Sequence, residues 1–304
     1  MKSLLDAIRP TTFIESEKLK SFLGLDVTVC TETFQHTGSF KFRAAYNLAA
    51  NVAENAILTA SSGNFGQALA LACRLAGKKC TVVMPETSAR VKIEAVRSYG
   101  ATVDLIDTKT TGRAERVSEL AAEMSDVYVA SAYDDPFVID GNASLGDELA
   151  AHRFDAVVVP VGGGGLISGI SKALCRAGAL TEVIGAEPLL GNDAARSLRA
   201  GRVVPNETEP LTIADGARTI SLGKHNWEII KTGVREIIEV SDERIAEAVR
   251  LYFQLANLKC EPTGALSLGA VLAARDRFRD CRVCLVVSGG NVDAEVYRRM
   301  LEKI

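Results

Sequence analysis

The chain has 304 residues, of which 47% are hydrophobic, so it can bury the core of one large or two ordinary α/β domains. Its 35 Lys and Arg residues and 38 Asp and Glu residues are spread along the chain, which leaves no basic patch for nucleic acid. No apolar run is long enough to span a bilayer, and the first six residues lack the apolar core of a secretory signal, so we expect a cytoplasmic protein that acts on a small molecule.

Short β-branched runs alternate with longer helical stretches along the chain. Strands are predicted over 55–60, 80–84, 102–106, 155–161, 181–187, 236–240 and 282–287. Helices are predicted to begin at residues 65, 88 and 111 and to cover 166–177. This alternation is typical of βαβ units and predicts an α/β fold with two parallel sheets. No long linker separates the halves, so we expect the domains to share a broad interface.

The seven cysteines are an odd number and are scattered along the chain, so we expect reduced thiols rather than a disulfide framework. Cys281 and Cys284 have the spacing of half a zinc site. They lie in a run that predicts a strand, and no second Cys or His pair is near them in sequence. We interpret them as buried strand residues.

Three segments follow predicted strands and precede helices or turns. In doubly wound sheets such positions form the ligand site. The segments are Ser-Ser-Gly-Asn at 61–64, four consecutive glycines at 162–165 and Ser-Gly-Gly-Asn at 288–291. We expect them to lie at one edge of the fold.

The four glycines at 162–165 predict a phosphate site, because their N–H groups can wrap an anion at a helix N-terminus. A flexible turn is the plain alternative, but four glycines are an entropic cost that a turn does not need. A nicotinamide enzyme is the other alternative, with Glu187 binding the ribose. Reading G-x-G-x-x-G from each possible start puts Ile167, Ser168 or Leu166 where glycine is required.

Lys41 lies between Phe40 and Phe42, and an apolar setting lowers the pKa of a lysine toward that of a nucleophilic amine. Taken alone, a lysine that extends from an amphipathic helix is the commoner case. The segment 61–64 has the same ambiguity, since a helix cap and a carboxylate site use the same N–H groups. The spacing of Glu187 and Asp193 alone favours solvated charges over ligands of a divalent cation.

Taken together, five segments resemble the serine and threonine dehydratases and serine racemases, which are pyridoxal-phosphate (PLP) enzymes of the tryptophan-synthase-β-like fold (fold type II). The segments are 39–43, 61–64, 159–165, 212–216 and 288–293. The resemblance covers nearly the whole chain and implies two domains, each a mainly parallel sheet flanked by helices. It implies a large cofactor-binding domain from 1–50 and 135–304, and a small domain from 51–134 that carries the substrate-carboxylate loop.

The resemblance also implies site residues. The catalytic residues are Lys41, which holds the cofactor and moves the α-proton, and Ser62, on the opposite face of the cofactor. The cofactor-binding residues are Phe40, Lys41, Asn64, Gly162, Gly163, Gly164, Gly165, Gly216 and Ser288. The substrate-binding residues are Ser61, Ser62, Gly63, Asn64, Phe65 and Tyr133. A divalent cation, magnesium, calcium or manganese, is expected on Glu187, Gly191 and Asp193.

The activity implied is conversion of a small β-hydroxy amino acid, such as L-threonine or L-serine, to a 2-oxo acid and ammonium. Ser288, a neutral hydroxyl at the pyridine nitrogen, does not favour a protonated ring and so suits β-elimination better than transamination. The resemblance alone implies a homodimer.

Two departures from the family pattern leave the substrate open. Phe65 stands where the family usually has His, and Tyr133 stands where an Asn often helps to bind substrate. The alternatives are an amino-acid racemase and a dehydratase of a larger substrate such as 3-hydroxyaspartate or phenylserine. A cofactor-binding protein without catalysis is disfavoured, because phosphate binding alone needs only the glycines and not Lys41, Ser62 and Ser288.

Overall fold

The structure is a computed structural model, and it describes residues 3–88 and 90–302. The strands are β1 (Thr12–Ile14), β2 (Asp26–Thr31), β3 (Ala56–Ala60), β4 (Lys79–Pro85), β5 (Thr102–Ile106), β6 (Val127–Val129), β7 (Ala156–Pro160), β8 (Glu182–Pro188), β9 (Glu236–Val240) and β10 (Arg282–Val287). The helices are α1 (Leu4–Ala7), α2 (Glu17–Leu23), α3 (Lys41–Asn51), α4 (Asn64–Ala76), α5 (Arg90–Ser98), α6 (Arg113–Glu123), α7 (Pro136–Ala150), α8 (Gly165–Arg176), α9 (Asp193–Ala200), α10 (Lys224–Gly233), α11 (Asp242–Ala256), α12 (Leu266–Ala273) and α13 (Ala294–Glu302).

The larger sheet has the strand order β1-β2-β10-β7-β8-β9. Its strands are parallel except for β1, which pairs antiparallel with β2 at one edge. Every residue of β7 is buried, as expected for a parallel strand covered on both faces. Helix α12, whose residues 266–271 are buried, packs against this sheet.

The smaller sheet has the order β5-β4-β3-β6 and is parallel throughout. Its core contains the buried face of α4, including Phe65, Leu69 and Cys73. The two mainly parallel sheets with flanking helices confirm the predicted fold class. Nothing tests the domain boundaries at residues 50 and 134, and they stay a prediction.

All seven predicted strands are present, and 102–106, 236–240 and 282–287 have the predicted bounds. Strands β1, β2 and β6 were not predicted from the sequence. The cysteines are free thiols, and Cys284 is a buried strand residue as expected. The same expectation is wrong for Cys281, which precedes β10 and is only half-buried. Among residues 3–88 and 90–302, no helix is long and apolar enough to cross a membrane.

Helix α7 lies between α3 and α8, and glycines allow the close approach on both sides. A Cβ atom at Gly141 would lie 2.5 Å from the carbonyl oxygen of Arg43 on α3. A Cβ atom at Gly169 on α8 would lie 2.6 Å from the Cβ of Asn142. Since α3 begins at Lys41 and α8 begins at the glycine segment, α7 sets the spacing between these two predicted site elements.

Candidate active site

A cavity of about 390 Å³ is lined by segments that follow strands of both sheets. The segments after β3, β7 and β10 contribute, together with the first turn of α3. The lining includes all residues predicted to bind cofactor or substrate: Phe40, Lys41, Ser61, Ser62, Gly63, Asn64, Phe65, Tyr133, Gly162, Gly163, Gly164, Gly165, Gly216 and Ser288. The structure therefore brings these residues together, while their individual roles stay predictions.

Lys41 is the first residue of α3, and its Nζ donates to the carbonyl oxygen of Ala132 at 2.7 Å. The Nζ atom lies 5.0 Å from the ring centre of Phe40 and 5.6 Å from that of Phe65. Burial lowers the pKa of the Lys41 amine to about 8, against a smaller opposing effect of the Glu261 carboxylate. The amine is therefore neutral in a large fraction of molecules near pH 8, as a nucleophile requires.

The glycine segment connects β7 to α8 and has a backbone that other residues do not fit. Gly164 has φ of +94°, which favours glycine. A Cβ atom at Gly163 would lie 2.3 Å from Cδ2 of Tyr133, so the tyrosine ring packs directly on the segment. The N–H groups of the first turn of α8 have no intrahelical partner, and the helix dipole favours an anion beside them. The geometry of the segment is thus suited to a phosphate, and we refer to residues 162–165 as the glycine cradle.

Gly216 and Ser288 complete this side of the cavity. The carbonyl oxygen of Gly216 lies 3.1 Å from the position of a Cβ atom on Gly162, so the two segments are in contact. Ser288 follows β10, and its Oγ is buried without a hydrogen-bond partner. A buried hydroxyl in this state is costly unless a ligand satisfies it.

Ser61 and Ser62 differ in what their side chains do. The Ser61 Oγ accepts the N–H of Gly66 at 3.1 Å and so caps the first turn of α4. The plain interpretation as a helix cap therefore fits Ser61. Ser62, Gly63 and Asn64 line the cavity at the N-terminus of the 13-residue helix α4, where N–H groups are available to a carboxylate.

The Phe65 side chain contributes both to the hydrophobic core and to the cavity wall. Its side chain is 1% exposed and belongs to the core around α4. The same ring also lines the cavity near the Lys41 amine. A Phe at this position therefore gives the cavity wall an apolar ring that offers no conventional hydrogen bond.

Glu261 is a site residue that the sequence analysis missed. Its buried carboxylate accepts the Asn64 amide at 2.9 and 3.1 Å. The Asn64 Oδ1 in turn accepts the Asn291 amide at 2.9 Å, which joins segments from both sheets. Burial raises the pKa of Glu261 to about 7. A single acidic residue inside an apolar stretch, Leu258 to Val271, was the sequence signal that could have identified it.

The mouth of the cavity is charged. Lys92 binds Asp215 with an N–O distance of 3.0 Å, and Arg113 lies 3.8 Å from Glu209. A third cationic side chain in the cavity lining, Arg218, donates to the Thr212 carbonyl oxygen at 2.8 Å. We refer to Lys92, Arg113 and Arg218 as the cationic rim. It was not predicted from the sequence, because its members lie in three separate segments.

The predicted cation ligands lie outside the cavity lining. The Glu187 carboxylate is buried and accepts the N–H groups of Ala194 and Ala195 at 2.9 and 2.8 Å. Asp193 is also buried, and its Oδ2 has no hydrogen-bond partner. Burial raises the pKa of Glu187, and it raises that of Asp193 to about 7. Within the described ranges, no group of three or more His, Cys, Asp or Glu side chains is arranged to hold a metal ion.

Comparison with known proteins decides the family. A family model described as pyridoxal-phosphate dependent enzyme matches residues 4–289. The chain belongs to this family. It is a pyridoxal-phosphate-dependent enzyme, as the resemblance implied.

Its relatives within the family have several activities. The enzyme is 38% identical to an L-threo-3-hydroxyaspartate ammonia-lyase of Pseudomonas sp, over 96% of this chain and 93% of that protein. It is 37% identical to a serine racemase of Schizosaccharomyces pombe, over 96% of this chain and 92% of that protein. The solved structure of a T.th. threonine deaminase has a TM-score of 0.89 and 38% identity, and the match covers 95% of both chains.

The cavity of this PLP-dependent enzyme fits its cofactor. The glycine cradle suits the phosphate, and the Lys41 amine with its lowered pKa suits the cofactor's carbonyl carbon. The unsatisfied hydroxyl of Ser288 suits a ring nitrogen that accepts a hydrogen bond. These three groups lie on separate segments that line one cavity.

We predict that Glu261→Gln flattens the pH dependence of stability in the cofactor-free protein. The folded-state pKa of Glu261, about 7, lies above its ordinary value of 4.5, so the folded state holds this proton more tightly. Binding of this proton stabilises the folded state fully below pH 4.5, and the stabilisation is lost as the pH rises through 7. Between these limits the wild type should lose about 2–3 kcal/mol more unfolding free energy than the variant.

Urea denaturation at several pH values measures this difference. Glu86→Gln, at an exposed glutamate, serves as the matched control and should follow the wild type. Parallel pH profiles for wild type and Glu261→Gln would contradict the buried, high-pKa state of Glu261.

Proposed function

We propose that this enzyme is an ammonia-lyase that converts a 3-hydroxyaspartate to a 2-oxo acid and ammonium. The observation that carries the proposal is the cationic rim at the mouth of the cavity, since 3-hydroxyaspartate has a second carboxylate. Similarity to an L-threo-3-hydroxyaspartate ammonia-lyase supports it. The sequence alone favoured serine or threonine and held 3-hydroxyaspartate as an alternative. The comparisons favour that alternative.

The glycine cradle would hold the phosphate of PLP, and Ser288 would hold its ring nitrogen. When bound, PLP supplies the carbonyl that captures the substrate amine and the conjugated ring that makes the neighbouring C–H bond acidic. Ser288 contributes a neutral hydroxyl rather than a carboxylate, which favours loss of a β-substituent over transamination. Phe40 and Asn64 line the cavity beside Lys41 and are proposed to contact the cofactor.

Lys41 would move the proton. With a pKa of about 8, its free amine accepts a proton from the substrate Cα at slightly alkaline pH and can return one later. Ser62, Gly63 and Asn64 would bind the α-carboxylate through a hydroxyl and the N–H groups at the start of α4. This binding orients the Cα–H bond toward the Lys41 amine.

Within the cationic rim we assign the second carboxylate to Arg113. Lys92 is paired at 3.0 Å with Asp215, and Arg218 is committed to a backbone carbonyl. The pairing of Arg113 with Glu209 is longer, 3.8 Å, and its side chain is 44% exposed. A guanidinium in this state is available for a bidentate contact with a carboxylate. The same charges disfavour phenylserine, whose phenyl group offers them no partner.

A panel of substrates tests the proposal. We expect the purified enzyme with PLP to form 2-oxo acid from 3-hydroxyaspartate with a kcat/KM at least tenfold above that for serine, threonine or phenylserine. This ratio of kcat/KM values corresponds to the free energy of one hydrogen bond between charged groups, about 1.5–3 kcal/mol. A preference for serine or threonine would contradict the proposed substrate.

Arg113→Gln tests the assignment within the rim. We expect the variant to lose about 10- to 100-fold in kcat/KM for 3-hydroxyaspartate, because it loses a charge-assisted contact. Its kcat/KM for serine should change little. Arg116→Gln is the matched control, since Arg116 lies on the same helix but binds Asp104 at 2.8 Å and is not in the cavity lining. Equal losses for both substrates would show that Arg113 does not read the second carboxylate.

Amino-acid racemisation is the second candidate function. It is supported by the similarity to a serine racemase and by a cavity-lining serine, Ser62, in the carboxylate loop. A hydroxyl on the face opposite Lys41 would return a proton to the other side of Cα. Chiral analysis of the remaining substrate in the same reaction tubes separates the two functions. Inversion that outpaces formation of 2-oxo acid would favour the racemase.

We also propose a divalent cation, magnesium, calcium or manganese, on Glu187, Asp193 and the Gly191 carbonyl oxygen. The unpartnered Oδ2 of Asp193 beside a second buried carboxylate supports an oxygen-liganded cation. Glu187 lies at the end of β8 and Asp193 begins α9, so a cation there would fasten the turn between them. Its role would be structural, because these residues are outside the cavity lining.

Chelation tests this cation site. We expect EDTA to lower the melting temperature by several degrees and magnesium, calcium or manganese to restore it, because the cation binds only the folded state. Asp193→Asn should abolish the response to added cation. An unchanged melting temperature in metal-free protein would exclude the site.

The other expectations stay predictions. The domain boundaries, a homodimer and a cytoplasmic location are supported by the family resemblance or by composition only. Gel filtration of the purified enzyme measures its oligomeric state.

A further inference from the structure

Arg43 lies two residues after Lys41 and is 0% exposed. Few side chains are as costly to bury as a guanidinium, which carries a charge and five N–H donors. Its side chain takes no part in the cavity lining. The burial of this group so close to Lys41 therefore needs a separate explanation.

All five donors of Arg43 are satisfied. The Nε and Nη2 atoms donate to the two carboxylate oxygens of Glu32 at 2.7 and 2.9 Å. The Nη1 atom donates to Glu148 at 2.7 Å and to the Ser144 hydroxyl at 3.1 Å. The second N–H of Nη2 reaches the Thr11 hydroxyl at 2.8 Å. We refer to these residues as the Arg43 cluster.

The Arg43 cluster holds α3 from the side opposite the cavity. Residues two apart on a helix project about 200° apart, so Lys41 and Arg43 point in opposite directions. The partners of Arg43 come from three other parts of the fold, namely the N-terminal segment, the end of β2 and α7. The first turn of α3 is thereby fixed relative to all three.

Helix α7 connects the Arg43 cluster to the phosphate cradle. Ser144 and Glu148 on α7 bind Arg43, while the side-chain amide of Asn142 on the same helix donates to the Gly165 carbonyl at 3.0 Å. Helix α7 thus contacts both α3, which begins with Lys41, and α8, which begins at the last residue of the glycine segment. The separation of these two elements is the distance that a cofactor bound at both ends must match.

Stability alone does not account for the cluster. Replacing a buried ion pair by apolar residues of similar volume is often neutral or stabilising, so such a pair is weak support for folding. Here one guanidinium faces two carboxylates, Glu32 and Glu148, which increases the cost of burial. The cluster instead fixes α3, because a bidentate fork restricts both the position and the orientation of the helix that carries the arginine.

We propose that Arg43 is a positioning residue for Lys41, which it holds at a fixed distance from the glycine cradle through Glu32 and α7. The inference rests on the proposed role of Lys41 as the residue that carries PLP. It assigns to Arg43 no contact with substrate or cofactor. Loss of the fork should therefore change how fast and how completely PLP becomes attached to Lys41, even in protein that is fully folded.

Two variants separate positioning from stability. Arg43→Lys keeps the charge but loses the fork. The double variant Arg43→Met with Glu32→Leu removes both members of the fully buried pair and should have a higher melting temperature than Arg43→Met alone, which leaves the Glu32 carboxylate buried without its partner. Arg116→Lys is the control, because Arg116 on α6 forms a two-bond fork with Asp104 on β5 and lies outside the cavity lining.

The readouts are the rate at which the visible absorbance of lysine-bound PLP appears at saturating PLP, and the fraction of bound PLP that borohydride fixes to the protein. We expect both Arg43 variants to attach PLP at least tenfold more slowly and to show a lower fixed fraction, while Arg116→Lys matches the wild type. A double variant that attaches PLP at the wild-type rate would overturn the inference. A wild-type enzyme that fixes no PLP would instead overturn the proposed role of Lys41.

Discussion

Two backbone hydrogen bonds join the segment before Lys41 to the segment after β10. Phe40 donates its N–H to the Ser288 carbonyl at 2.9 Å, and Gly290 donates to the Gly38 carbonyl at 3.0 Å. Because of these bonds, the lysine and the serine proposed to meet opposite parts of the cofactor belong to one fixed unit. The glycine cradle joins the same unit through β7, which pairs with β10. The rest of the site, including the carboxylate loop after β3, is arranged around it.

Burial shifts the pKa values of two ionisable side chains in the cavity. It lowers the pKa of the Lys41 amine to about 8 and raises that of Glu261 to about 7, so near neutral pH each group moves toward its uncharged form. An uncharged amine is the form that attacks a carbonyl and accepts a proton. Charged side chains are instead found at the mouth of the cavity, where solvent reaches them. In the proposed function the buried groups carry out the chemistry, and the cationic rim selects the substrate.

Much of the fold could be predicted from the sequence, because parallel strands buried on both faces leave continuous β-branched runs such as that of β10. Strands β1 and β6 have three residues each, too few for a pattern. The glycine cradle was predictable because backbone geometry demands glycine in consecutive positions. Glu261 left one sign, an acidic residue in a mostly apolar stretch, but its contact with Asn64, 197 residues away in sequence, was hidden. The partners of Arg43, at separations of 11 to 105 residues, were hidden for the same reason.

The proposed roles of the other site residues all depend on Lys41 as the residue that carries PLP. Borohydride reduction of the holoenzyme, followed by proteolysis and mass spectrometry, tests this role of Lys41 most directly, because reduction fixes the cofactor permanently to the lysine that holds it. We expect the pyridoxyl group on the peptide that contains Lys41, at close to one per chain. Lys92 also lines the cavity and serves as the internal comparison. A modification on Lys92 or on any other lysine, with Lys41 unmodified, would show that Lys41 does not hold the cofactor.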